Sequence, residues 1–164
     1  MPNFKSDVIN ASTAAADNET IIAWNDSLAT KIDLIDSQHK HLVDLTNELF
    51  RACRLGGDAL DTVFKETMSR MVEYVRFHFG AEQEMLLRVK YPKFAEHKAE
   101  HDSLVKTILD TIKSYGKSRF VPNNFVRFLR DWIVGHIGHS DKTYAAYIME
   151  LKKRGLISDK DIEG

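Results

Sequence analysis

Two pairs of potential metal ligands on consecutive segments constrain this chain more than any other feature. His78 precedes Glu82 by four residues, and His97 precedes His101 by the same interval. On an α-helix that spacing places both side chains of a pair on one face, one turn apart. The sequence therefore predicts two helices that direct imidazole and carboxylate groups toward a shared metal site.

The composition fits one globular domain and excludes several function classes. The chain has 164 residues, of which 43% are hydrophobic and 29% charged, so a sizeable core can form. The net charge of −1 gives no electrostatic signature of nucleic-acid or anionic-lipid binding. No apolar run of about 18 residues is present, so we expect no membrane insertion.

The cysteine content and the first residues predict a cytoplasmic protein. Cys53 is the only cysteine, so neither an internal disulfide nor a cysteine metal cluster can form. Residues 1–20 lack the apolar segment of a secretory signal. We interpret Cys53 as an inert thiol on the inward stripe of the first helix.

Apolar residues at helical spacing recur in four segments separated by glycine or proline. The predicted helices cover about residues 37–54, 58–88, 92–116 and 122–153. Asp36 or Ser37 is expected to cap the first helix, and Asp58 the second. Short connections favour antiparallel neighbours, so the predicted fold is all-α, an antiparallel up-down-up-down four-helix bundle.

The bundle is expected to occupy residues 21–155. Residues 1–20 are predicted to form a polar, loosely packed N-terminal extension, with docking on a partner as the alternative. Residues 156–164 are predicted to form a loose C-terminal tail.

Every predicted helix carries at least one residue of metal-ligand type on its inward stripe. The candidate ligands are His39, His78, Glu82, His97, His101, His136 and Asp141. Burying these groups without partners would be costly, and coordination removes that cost. Seven side chains exceed the four of a structural zinc site, which indicates two metals sharing carboxylates. Five imidazoles favour iron over magnesium or calcium, which prefer oxygen ligands.

One interval does not follow from helix geometry. His136 and Asp141 are five residues apart, which is about 140° around an ideal helix. We expect either a local loosening of the fourth helix or ligands that reach different sides of a metal pair.

With these motifs the chain resembles the hemerythrin family, and particularly its bacterial hemerythrin-like members. The resemblance extends from about Trp24 to Gly155, and its matching segments are residues 35–40, 78–82, 97–101 and 136–141. It implies a four-helix bundle with two iron ions, Fe²⁺ or Fe³⁺, that bind dioxygen reversibly. By this resemblance one iron would be held by His97, His101 and His136, and the other by His39 and His78.

The resemblance also assigns the bridging groups and the oxygen pocket. Glu82 and Asp141 would bridge the irons, together with an oxo or hydroxo group. The iron with two histidines would be one ligand short and would take dioxygen there. The residues expected around an apolar pocket, which are equally candidates for plain bundle core, are Leu42, Phe79, Leu86, Trp132 and Ile137.

The remaining polar residues are expected outside the ligand set. His41 is predicted to be a surface residue, His139 a surface residue or a neighbour of the ligands, and Glu100 part of a solvated face.

The function implied is oxygen storage, delivery or sensing by a monomer that is not an enzyme. Its partners would be dioxygen and an oxygen-consuming enzyme. Two alternatives stay open, namely a di-iron enzyme that reduces peroxide or nitric oxide, and an iron-handling protein.

Overall fold

Four long helical segments make up most of the computed structural model, which describes residues 19–54, 57–118 and 123–163. Helices α1 (Asp33–Ala52), α2 (Gly57–Arg88) and α3 (Phe94–Ser118) are continuous. The fourth segment consists of α4 (Asn123–Gly135), a π-helical turn (His136–Asp141) and α5 (Lys142–Lys153). A 3₁₀ turn (Asp26–Leu28) precedes α1, and a short helix α6 (Asp159–Glu163) follows α5. Within these described ranges there is no strand.

Contacts between side chains show that neighbouring helices run antiparallel. Gln38 near the start of α1 bonds to His78 near the end of α2, whereas Glu48 bonds to Arg70. The same reversal relates α2 and α3, with the contact pairs Asp61–Tyr115 and Gln83–His101. The predicted all-α antiparallel bundle is therefore confirmed.

The core consists of apolar clusters on either side of a polar layer. One cluster fills the α1–α2 loop end of the bundle and includes Leu45, Leu49, Phe64, Met68, Met71 and Leu129. A second fills the opposite end and includes Ile35, Met85, Leu86, Tyr144 and Ile148. His78 and Glu82 lie on α2 between the residues of these two clusters, so the candidate ligands occupy the middle of the bundle.

The first helix begins earlier than predicted. It starts at Asp33, and Asp36 does not cap it. The Asp36 carboxylate instead accepts hydrogen bonds from the Thr30 amide at 2.7 Å and the Lys31 amide at 3.1 Å. The carboxylate therefore satisfies the loop that leads into α1, and the helix can begin one turn before it.

The prediction of a loose C-terminal tail is wrong. Residues 159–163 form α6, and the Ile162 side chain is only 5% exposed within the second apolar cluster. The Arg88 guanidinium donates to the carbonyls of Asp161 and Ile162 at 3.1 and 3.2 Å. Together with the Lys152–Asp159 ion pair and the packing of Ile157 on the same cluster, these contacts hold the polar segment against α2 and α5.

Two other sequence predictions concern the N-terminal extension and membrane insertion. Most of the predicted N-terminal extension lies outside the described residues, of which Glu19 and Thr20 are exposed. No helix in the part of the chain that the structure describes is long and apolar enough to cross a membrane.

Truncating a central core residue should lower stability far more than truncating an exposed residue of the same type. Leu49 is 0% exposed, whereas Leu87 is 58% exposed on α2. We expect Leu49→Ala to reduce the free energy of unfolding by about 2–5 kcal/mol, because it leaves a cavity. Leu87→Ala should change it by about 0.5 kcal/mol or less. Urea unfolding of the metal-free protein measures both, and equal losses would contradict this core assignment.

Candidate metal centre

The seven predicted ligand side chains converge in the middle of the bundle. All of them are buried, with relative exposures between 0% and 5%. Their ligand atoms form two groups, and within each group they lie within 4.8 Å of one another. The larger group contains Glu82, His97, His101, His136 and Asp141. The smaller group contains His39, His78 and Glu82, so Glu82 belongs to both.

The two oxygens of Asp141 point to different histidines. Oδ1 lies 3.1 Å from His136 Nε2 and 3.6 Å from His97 Nε2. Oδ2 lies 3.1 Å from His39 Nε2. This carboxylate therefore joins the larger group of ligand atoms to a histidine of the smaller one.

The Glu82 carboxylate is held from two sides. Its Oε2 lies 3.2 Å from His97 Nε2 and 3.1 Å from His101 Nε2. Its Oε1 accepts a hydrogen bond from the hydroxyl of Tyr144 on α5. The tyrosine thereby fixes the carboxylate's orientation without competing for the oxygen that faces the histidines.

The π-helical turn explains how His136 and Asp141 reach the same site. In this turn the backbone hydrogen bonds span five residues instead of four, so side chains five residues apart lie on nearly the same face of the helix. Both side chains are consequently buried and face each other. Of the two arrangements expected from the sequence, local loosening of the fourth helix is the one observed.

Several of the converging atoms lack hydrogen-bond partners. Both ring nitrogens of His39 and both carboxylate oxygens of Asp141 are buried without one. His39 Nε2 and Asp141 Oδ2 are only 3.1 Å apart, but their orientation does not make a hydrogen bond. His101 Nε2 and His136 Nε2 also approach to 2.9 Å, a contact in which only one of the two nitrogens can carry the proton. Buried nitrogen and oxygen atoms that face inward without a hydrogen-bond partner are suited to bind cations. A set of imidazole and carboxylate ligands suits iron.

The protonation states favour coordination. Burial lowers the pKa of His78 to about 4, so its imidazole is neutral at pH 7. Burial alone would raise the pKa of Glu82, but hydrogen bonds from His101 and His97 hold it well below its usual range. Burial and the nearby Glu82 raise the pKa of Asp141, whereas His136 and His39 lower it to a net decrease. His78 thus presents a neutral imidazole beside two ionised carboxylates, whereas burial lowers the pKa of His136 but Asp141 and Glu82 raise it to a net increase.

Partners behind the histidines fix their orientation. His78 Nδ1 donates to Gln38 Oε1 at 2.8 Å, and His136 Nδ1 donates to Glu100 Oε2 at 2.6 Å. The prediction that Glu100 belongs to a solvated face missed this bond, since its side chain is 45% exposed but still reaches His136. These partners are what a metal-binding imidazole needs on its other nitrogen.

Helical spacing could have identified one of these missed residues. Tyr144 follows Asp141 by three residues and therefore lies on the same face of the fourth segment. Gln38 and Glu100 immediately precede the ligands His39 and His101 and would point elsewhere on a single helix. Only the packing of two helices brings them to His78 and His136.

The residues predicted around an oxygen pocket fall into different apolar clusters. Phe79 stacks on His101 with ring centroids 3.6 Å apart, and Trp132 stacks on His136 at 4.3 Å. Leu42 packs in the same cluster as Phe79, and Ile137 packs with Trp132. Leu86 belongs to the cluster at the other end of the bundle. Four of the five are buried and Trp132 is half-buried.

His41, His139 and Cys53 lie outside the cluster of candidate ligands. His41 is exposed, as predicted, and its ring packs on Tyr74 at 4.2 Å. His139 is exposed and lines a surface cavity beside the ligands. Cys53 is half-buried, and burial raises the pKa of its thiol.

The metal-free protein should lose stability in acid because of His78. The unfolded chain binds a proton at His78 below about pH 6.5, whereas the folded chain does so only near pH 4. Lowering the pH through this window therefore favours unfolding, by up to about 3 kcal/mol at pH 4. The depressed pKa values of Glu82 and Asp141 act in the same direction, and the raised pKa of His136 acts against them.

Thermal unfolding between pH 7 and pH 4 measures this effect. His78→Gln should make the loss of stability with falling pH less steep, because it removes one of the groups whose pKa differs between the folded and unfolded states. His41→Gln changes an exposed histidine and should leave the profile unchanged. An equally steep profile in the His78→Gln variant would show that His78 is not the source.

Comparison with known proteins agrees with this geometry. The model of the family described as "Hemerythrin HHE cation binding domain" matches residues 30–148. The chain is 32% identical over 126 residues to "Bacteriohemerythrin" of Methylococcus capsulatus, covering 76% of this chain and 94% of that protein. It is 29% identical over 129 residues to "Bacteriohemerythrin" of Clostridium acetobutylicum, covering 76% of this chain and 98% of that protein.

A solved structure gives the same result in three dimensions. The crystal structure of a wild-type hemerythrin superposes with a TM-score of 0.70 at 31% identity, covering 77% of this chain and 96% of that one. The family match includes all seven buried ligand candidates, from His39 to Asp141. Fold, ligand cluster and sequence similarity together show that this chain belongs to the hemerythrin family.

Proposed function

We propose that this chain binds dioxygen reversibly at a centre of two iron ions, for oxygen storage, delivery or sensing. The observation that carries this proposal is the pair of buried ligand groups that share Glu82 and are spanned by Asp141. Membership of the hemerythrin family supports a binding protein rather than an enzyme. For delivery, the matching partner is an oxygen-consuming enzyme.

The two groups support a division of the ligands between two irons. We assign one iron to the three histidines of the larger group, which are His97, His101 and His136. The second iron is assigned to His39 and His78. Glu82 and Asp141 would bridge, with an oxo or hydroxo group as the third bridge. The supporting geometry is that each carboxylate lies close to histidines of both groups.

The unequal number of histidines suggests which iron takes dioxygen. With two histidines against three, the iron of the smaller group has a coordination position to offer. When bound, a ferrous pair supplies the electrons that reversible oxygen binding requires. His78 is kept neutral by burial and oriented by Gln38, so it is ready to act as a ligand without first losing a proton.

The apolar side chains near the ligands would keep water away from the centre. Phe79 and Trp132 cover the rings of His101 and His136 by direct stacking. Leu42 and Ile137 extend that covering, and Leu86 closes the cluster beyond Glu82. A dry environment suppresses the loss of charged oxygen species and so favours release of oxygen unchanged. We therefore include these five residues in the proposed pocket.

Optical spectra of the iron-loaded protein test the function directly. Exposure of the reduced protein to air should produce a visible charge-transfer band that disappears when oxygen is removed and returns when it is restored. Metal analysis should give two irons per chain. One-way oxidation to a diferric form would overturn oxygen carriage, and a content of one zinc per chain would overturn the di-iron centre.

Replacing His78 should separate the two proposed irons. We expect His78→Ala to abolish the oxygen-dependent band, because the iron of the smaller group loses one of its two histidines. The larger group keeps all its ligands, so about one iron per chain should remain by metal analysis. His41→Ala, an exposed histidine on α1, is the control and should retain both irons and the band. A normal oxygen-dependent band in His78→Ala would contradict the assignment.

Removing the Tyr144 hydroxyl should weaken metal binding without removing a ligand. Tyr144→Phe leaves Glu82 Oε1 buried without its donor and frees the carboxylate to rotate. We expect metal affinity to fall by about 10- to 100-fold, as measured by competition with a chelator. The matched control is Tyr147→Phe on the same helix, whose hydroxyl bonds to backbone carbonyls of Val89 and Lys90. If the two variants lose equal affinity, Tyr144 has no specific role at the centre.

A further inference from the structure

We propose that a polar cavity between α3 and the π-helical turn is the route by which metal ions reach the buried ligands. This inference rests on the metal centre proposed above. The cavity has a volume of about 140 Å³ and opens to solvent. Its wall includes Lys93, Glu96, His97, Glu100, His139 and Ser140.

The inner wall of this cavity is part of the ligand cluster itself. His97 is only 4% exposed, yet it lines the cavity while its Nε2 lies 3.2 Å from Glu82 Oε2. Its other nitrogen, Nδ1, makes no hydrogen bond to any of the described residues. One imidazole ring therefore separates the cavity from the Glu82 carboxylate, and no described side chain holds the ring on its outer side.

Glu100 provides a second connection from the cavity to the ligands. Its Oε2 accepts hydrogen bonds from His136 Nδ1 at 2.6 Å and from the Ser140 hydroxyl at 2.7 Å. Its Oε1 has no partner in the part of the chain that the structure describes, and the side chain is 45% exposed. The carboxylate thus has one oxygen bound to a ligand and the other available to an incoming ion.

The mouth of the cavity carries groups that attract a divalent cation. Glu96 and His139 are exposed there and offer carboxylate and imidazole donors, while Lys93 is a single opposing charge. The Glu96 carboxylate raises the local concentration of a divalent cation and so accelerates its binding, while the His139 imidazole can contact the ion through a ring nitrogen. They need not form a stable site, since a route requires only transient contacts.

The remaining surroundings of the cluster suit a cation less well. On other sides of the cluster, Phe79 and Trp132 stack against the rings of His101 and His136. Moving a hydrated ion past such surfaces is costly because nothing replaces its water. The structure therefore assigns cation access to the polar side, while the apolar sides suit uncharged dioxygen.

The kinetics of metal uptake by the metal-free protein test this route. Stopped-flow mixing with Co²⁺ can be followed by the visible absorption that the ion gains when imidazole and carboxylate ligands replace its water, a signal that does not depend on tryptophan. The double variant Glu96→Gln/His139→Gln removes the attracting groups at the mouth. Thr143→Trp narrows the cavity from an exposed position in its wall. Glu73→Gln/His41→Gln makes the matched change at a surface cavity elsewhere on the bundle.

We expect the double variant to load Co²⁺ roughly tenfold more slowly at low ionic strength, with the difference shrinking as salt is added. Thr143→Trp should slow loading at every salt concentration, and the control double variant should match the wild type. All variants should finally bind the same number of ions, with unchanged unfolding midpoints in the metal-free state.

Two outcomes overturn separate claims. Loading at the wild-type rate in the mouth variant would exclude this route, and Thr143→Trp provides a second, steric test of it. Uptake of fewer than two ions by the wild type would instead contradict the dinuclear centre. The comparison of loading rates would still decide the route for the ions that do bind.

Discussion

The burial of seven ionisable side chains in one layer of the bundle is the constraint on which the rest of the structure depends. Five imidazoles and two carboxylates lie between two apolar clusters, with almost no access to solvent. Without a cation, this arrangement leaves atoms of His39 and Asp141 unpartnered, at a cost of about 1–3 kcal/mol for each unsatisfied group. The apolar clusters hold the helices in place, so the bundle can maintain a ligand set that is unfavourable by itself.

The π-helical turn is the local distortion that completes the ligand set. A regular α-helix through residues 136–141 would direct His136 and Asp141 about 140° apart. The extra residue in the turn brings both into the site, and it also places Ser140 where its hydroxyl donates to Glu100. One backbone irregularity therefore positions a candidate histidine ligand, the carboxylate proposed to bridge, and Ser140, which bonds to the acceptor of that histidine.

How far the sequence could predict this centre depended on whether the signal was local. His78 with Glu82, and His97 with His101, are separated by one helical turn and were identified from spacing alone. The five-residue interval from His136 to Asp141 indicated a distortion but not which one. Gln38 and Glu100 could not be found from periodicity, because their partners are on other helices.

The difference between local spacing and contacts with other parts of the chain also explains two wrong predictions, the Asp36 cap and the loose C-terminal tail. Asp36 was a reasonable capping residue by type, but its carboxylate is used by the amides of the preceding loop. The polar C-terminal segment has few apolar residues, but buried Ile162, two bonds from Arg88 and the Lys152–Asp159 ion pair hold it in place. The Asp36 carboxylate bonds to amides that precede it in the chain, and α6 is held by residues of α2 that are distant in sequence. Intrinsic helix propensity reflects neither kind of contact.

The contacts behind the histidines also limit which protonation states are compatible with metal binding. A histidine that coordinates through Nε2 must carry its proton on Nδ1 and needs an acceptor there. Gln38 and Glu100 provide such oxygens for His78 and His136. At His101 the Gln83 amide group lies 3.2 Å from Nδ1, and its oxygen would serve as that acceptor. His78, His136 and His101 thus each have a side-chain partner at Nδ1 that could hold the ring for coordination through Nε2.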